Sequence, residues 1–99
     1  MYSREKYRVD LQTNWVSDRL IGLVKHLLGS GAVVPDPFPT DRQLSELGIS
    51  SLKMVNLMLA VEVEFDIAIP QSDITPENFH SVASIEALVA RTLAQRKSA

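Results

Sequence analysis

The sequence predicts an all-α fold, a bundle of three longer helices and one short helix with a long first loop. Three observations carry this. Apolar residues recur at three- and four-residue steps in three separate stretches. Glycine and proline breaks separate those stretches, and no segment reads as a strand with neighbours to pair with. Ninety-nine residues suffice for one modest core and not for two.

The first helix is expected from about Asn14, with Val16, Leu20, Leu23, Val24, Leu27 and Leu28 on one stripe. Thr13 or Asn14 serves as its N-cap, and "GSG" at 29–31 ends it. "AVVPDPFPTDRQLSELGIS" follows. Its three clustered prolines forbid a helix or a central strand there, so it is read as a loop of unusual length. Within it, Asp41 is expected to cap one short turn that lets Leu44 and Leu47 plug the core.

The second helix spans about Ser51 to Phe65, and the loop after it turns Ile67 and Ile69 inward. "TPENF" is a start signal, with Thr75 as N-cap, Pro76 at the first helical position and Glu77 near the positive dipole end, for one short third helix. Val82, Ile85, Leu88, Val89 and Leu93 then keep helical spacing to about Gln95. The domain is placed at 13–96, with a loosely ordered segment at 1–12 and a tail at 97–99.

A net charge of −2 offers no basic stripe for phosphate, and Lys53 is too little for a helix-turn-helix reader, so nucleic acid is not an expected partner. No cysteine is present, which excludes disulfides and cysteine-ligated zinc. "MYSREKYRVD" lacks an apolar secretory core and no run approaches a membrane span, so a soluble, cytoplasmic, monomeric protein is expected. No metal site is expected. The only histidines, His26 and His80, lie on separate elements, and "GISSL" lacks the second glycine of a nucleophile elbow. No catalytic residue is assigned.

At about 100° per residue, the second helix shows three faces. Met54, Leu57, Met58, Val61 and Phe65 form a core stripe. Lys53, Asn56, Ala60 and Glu64 form a solvated one. Leu52, Val55, Leu59 and Val63, with Glu62 beside them, form an apolar third face. That third face is either buried in a central helix or exposed for docking; periodicity leaves both open. The serine pair at the head is equally two-sided, an N-cap or something more.

"LGISSLKMVNLMLAVEVEFDIAIPQSDITPENFHSVASIEALV", residues 47–89, resembles an acyl or peptidyl carrier protein. Leu47, Gly48, Ile49, Ser50, Ser51 and Leu52 are similar to that family's motif, a leucine-glycine turn before aspartate-serine-leucine. "EFDIAIP" and "ITPENFHSVASI" match in register. The resemblance implies an acyl-carrier-like bundle and a carrier, not an enzyme. Ser51 would be the residue to which a phosphopantetheinyl transferase attaches 4′-phosphopantetheine, whose thiol holds acyl groups as thioesters. It further implies docking of acyl-loading and acyl-processing enzymes on the second helix, through Ser50, Leu52, Lys53, Val55, Asn56, Leu59 and Glu62. The side formed by Met54, Met58, Ile69 and Leu88 is either plain core or a shelter for cargo.

The sequence departs from the family at Ser50, where an aspartate is usual, and at Lys53 and Asn56, where many carriers have carboxylates. A hydroxyl makes a weaker hydrogen bond than a carboxylate. These departures imply a specialised carrier in a fatty-acid, lipid or polyketide-type pathway. The alternative is a helical adaptor, an unmodified degenerate carrier that binds partners through the second helix.

Overall fold

The computed structural model describes residues 14–29 and 31–98. Three α-helices, α1 (Asn14–Leu28), α2 (Ser51–Phe65) and α3 (Val82–Ser98), carry the fold, and α1 packs against both others. Two 3₁₀ turns interrupt the connections, η1 at Leu44–Leu47 and η2 at Gln71–Asp73. No strand occurs among the described residues. The expected segment at 1–12 and the Thr13 cap lie outside them.

Each helix presents the stripe its spacing dictates. Val16, Leu20 and Val24 of α1, Leu57, Val61 and Phe65 of α2, and Val82, Ile85, Leu88 and Val89 of α3 are buried together. Leu44 enters from η1, and Ile67 and Ile69 close the bottom from the loop after α2. Leu47 is only half-buried, as are Leu23, Leu27, Leu28, Met54, Met58 and Leu93. Gly29 ends α1 at φ +94°, its N–H reaching the Lys25 and His26 carbonyls. Asp66 ends α2 in the left-handed region at φ 55°, a conformation that aspartate tolerates better than most residues.

The far ends of α1 and α2 are joined by rings and charge. Trp15 lies against Phe65 with centroids 5.7 Å apart and planes tilted 58°. Arg19 stands over the Trp15 ring and pairs with Glu64. At the start of α3, Ser81 is buried and its Oγ accepts the Ser84 N–H at 3.2 Å, an N-cap.

Three expectations need correction. The short helix at Thr75 is a single turn, closed by Phe79 N–H to the Thr75 carbonyl; the regular short element is η2, just before it. Thr75 does cap that turn, its Oγ accepting the Asn78 N–H at 3.2 Å, while Asn78 Nδ2 donates to the Asp73 carbonyl. Asp41 does not cap η1. Gln43 takes that position with no side-chain bond, and the Leu44 N–H donates instead to the His80 carbonyl at 2.9 Å. Finally, α3 continues through 97 and 98, because no glycine or proline stands after Gln95 to stop it.

Candidate functional site

The head of α2 is built by five consecutive residues with separate tasks. Gly48 turns the chain at φ +107°, closing η1 with its N–H on the Leu44 and Ser45 carbonyls. A Cβ there would stand 3.2 Å from Leu28 Cδ2, so both the backbone angle and the neighbour favour glycine. Ile49 is buried at 2 % exposure and anchors the turn. Ser50 is extended, and its Oγ accepts the Lys53 N–H at 3.3 Å, which makes it the N-cap.

Ser51 is therefore left over. It is the first helical residue and exposed, and no hydrogen bond within the described residues engages its hydroxyl. With the Lys53 N–H capped by Ser50, the Ser51 and Leu52 amides remain without intrahelical carbonyl partners, so an anion grafted there meets N–H groups and the positive end of the dipole. A phosphodiester fits this position. Neither histidine lines the depression at Ser51: His26 is exposed on α1, and His80 lines only the adjoining one.

Two adjoining depressions run from Ser51 along the side of α2. The first, about 750 Å³, is lined by Ser45, Gly48, Ile49, Ser50, Ser51, Met54 and Pro76. The second, about 420 Å³, is lined by Gln43, Ser45, Met54, Met58, Ile74, Thr75, Pro76, Phe79 and His80. Ser45, Met54 and Pro76 belong to both, so they form one open groove. Among the described residues, no carboxylate lines it, and His80 is its one titratable side chain. Met54 and Met58 thus face a surface channel, whereas Ile69 and Leu88 are buried in the core and do not line it. Gln43, Ser45 and Pro76 had no local pattern to mark them; they meet α2 only through the folding of η1 and the Thr75 turn.

The third face of α2 is on the outside. Leu52 is 72 % exposed, Val55 50 %, Leu59 56 % and Val63 81 %, which rules out a helix buried on two sides. Asn56 is exposed and Lys53 half-buried. Glu62 is half-buried, and its carboxylate accepts the Ile69 N–H at 2.8 Å, so it holds the following loop to α2.

No group of His, Cys, Asp and Glu among the described residues is placed to hold a metal ion. Among them, too, no helix is long and apolar enough to cross a membrane. Burial raises the Glu86 carboxyl on α3 above the ordinary glutamate value.

The profile of the family described as "Phosphopantetheine attachment site" matches residues 18–91. The chain is 50 % identical over 78 residues to aminoacyl carrier protein 1 of Bradyrhizobium diazoefficiens, covering 79 % of this chain and 86 % of that one. It is 44 % identical to aminoacyl carrier protein 2 of the same organism over the same shares. Among solved structures, it is similar at TM-score 0.66 and 40 % identity to a chain in the crystal structure of Bradyrhizobium japonicum glycine:[carrier protein] ligase complexed with glycylated carrier protein. That match covers 74 % of this chain and 96 % of the other. A second such complex, with the cognate carrier protein and an analogue of glycyl adenylate, matches at TM-score 0.67 and 40 % identity, covering 77 % and 96 %. The family match over residues 18–91, with relatives at 50 % and 44 % identity, shows that the chain belongs to the carrier proteins that bear covalent 4′-phosphopantetheine, and that it is a carrier and not an enzyme.

Proposed function

We propose that Ser51 bears the 4′-phosphopantetheine, attached by a phosphopantetheinyl transferase, and that the cargo is a small amino acid loaded by an amino acid ligase. When bound, the arm supplies a terminal thiol that holds the cargo as a thioester. The observation that carries the reading is the division of labour between adjacent serines. Ser50 spends its hydroxyl on the Lys53 amide, and Ser51 keeps its own exposed, with no bond to it among the described residues.

The cargo class rests on two supports. The relatives in the preceding section are named aminoacyl carriers, and the matched complexes contain a glycine ligase. The groove leading from Ser51 is shallow and lined mostly by apolar groups, while the core residues Leu57, Val61, Ile85 and Leu88 have no exposure at all. A filled core favours a short cargo over a long acyl chain, which needs an apolar cavity. Both supports favour aminoacyl transfer over the broader fatty-acid, lipid or polyketide expectation.

The test is intact mass after co-expression with a transferase, followed by mass analysis of the cargo isolated from cells. One phosphopantetheinyl addition, absent in Ser51→Ala, and an aminoacyl thioester are expected. Persistence of the addition in Ser51→Ala overturns the site, and a long-chain acyl cargo overturns the cargo class. No addition with several transferases returns the unmodified adaptor.

A further inference from the structure

The first turn of α2 lacks the anion that a helix start favours. Its cap, Ser50, is a neutral hydroxyl, and no acid stands among Ser51, Leu52 and Lys53. Lys53 occupies the third helical position, where the glutamate of a capping box would reach back to the cap amide. It brings a cation to the positive end of the dipole instead, and it makes no ion pair among the described residues. The nearest acid in sequence, Glu46, is exposed on η1 and makes no ion pair among them either. Nor does a described carboxylate line the depression at Ser51. Positive charge therefore collects at this end of the helix without a counter-charge.

We infer that priming at Ser51 fastens the first turn of α2, so that the modified chain is more stable than the unmodified one. The free Ser51 and Leu52 amides, with the Lys53 cation in the same turn, take up the negative charge of the phosphodiester. Charge balance carries the inference. A helix that began with an aspartate cap, or with a glutamate at position 53, would hold that charge before modification, and a second anion beside it would add little or repel. Here the fold is left incomplete at its attachment end until the graft arrives. The inference rests on the attachment at Ser51 proposed above and gives the root of the arm a structural task besides tethering.

The experiment melts the apo chain and the holo chain, the latter made with a transferase and coenzyme A and checked by intact mass, at about 20 mM NaCl, where screening is weak. A rise in Tm of about 2–6 °C on priming is expected. Ser50→Asp and Lys53→Glu are melted in both forms beside the parent. Each should melt higher than the parent before priming, and each should keep less than half of the parent's gain on priming. Arm packing elsewhere on the surface would leave that gain intact in both variants. A rise below about 2 °C in the parent, or a gain that persists by more than half in either primed variant, overturns the brace and leaves attachment at Ser51 standing. Absence of the added mass from the parent overturns the attachment itself, and the inference falls with it.

Discussion

Replacing the two serines at the head of α2 one at a time separates folding from modification. Ser50→Ala removes the oxygen that accepts the Lys53 N–H. Loss of such a cap costs about 0.5–2 kcal/mol, and the exposed 3.3 Å bond places this one in the lower half, about 0.5–1 kcal/mol. In a domain of this size that lowers Tm by about 2–8 °C. Ser50→Asp keeps the cap and adds the first negative charge to a helix start that has no acid in its first turn, which stabilises by about 0.3–1 kcal/mol. Ser51→Ala removes an exposed hydroxyl that has no partner among the described residues and replaces the serine with the strongest helix former, so its stability stays within about 0.5 kcal/mol of the parent. Thermal melts by circular dichroism read the first quantity, and intact mass after exposure to a transferase and coenzyme A reads the second. Ser50→Ala should melt early yet gain mass, and Ser51→Ala should melt normally and gain none. Equal loss of stability in both variants, or mass gain by Ser51→Ala, refutes the assignment of cap and attachment to different residues.

Three further outcomes follow from the packing. Leu57→Ala, at a core position with no exposure, should cost about 2–5 kcal/mol in a urea titration. Gly48→Ala should destabilise by about 1–2 kcal/mol, since L-residues resist its left-handed φ and the new Cβ presses on Leu28; a neutral result by thermal melt would remove the special role of this glycine. For Glu86, burial raises the folded carboxyl above its unfolded value, so just above the ordinary glutamate range the folded chain holds more protons than the unfolded one. Stability therefore falls as pH rises through that window and stays lower at neutral pH. Glu86→Gln should flatten this dependence in urea midpoints taken between pH 4 and 8 and raise the neutral value.

Helix positions were legible where local chemistry alone decides them. The serine pair and the spacing of Leu57, Val61 and Phe65 placed α2 at its observed limits, and the glycine after Leu28 placed the end of α1. The misplaced features share a cause of the opposite kind. Asp41 is a sound cap candidate by type, but the Leu44 amide is satisfied from 36 positions away by the His80 carbonyl. The same contact, with Ala83 N–H on the Thr40 carbonyl at 2.8 Å, ties the entry to α3, just after the Thr75 turn, to the first loop. The exposure of Leu52, Val55, Leu59 and Val63 was likewise beyond periodicity, which reports that a face is apolar and not what covers it. The bond of Glu62 to the Ile69 N–H was also out of reach of the sequence, because it depends on where the loop folds back.

The single tryptophan gives the protein a built-in optical reporter with a selective field of view. Trp15 sits on Phe65 at the last turn of α2, about 21 Å along the axis from the serine at the other end. Its emission should shift strongly when α1 and α2 separate, and stay quiet while groups are grafted, exchanged or removed at position 51. Denaturation can thus be followed on unloaded, primed and charged forms with one unlabelled signal, and their stabilities compared without correction for the graft.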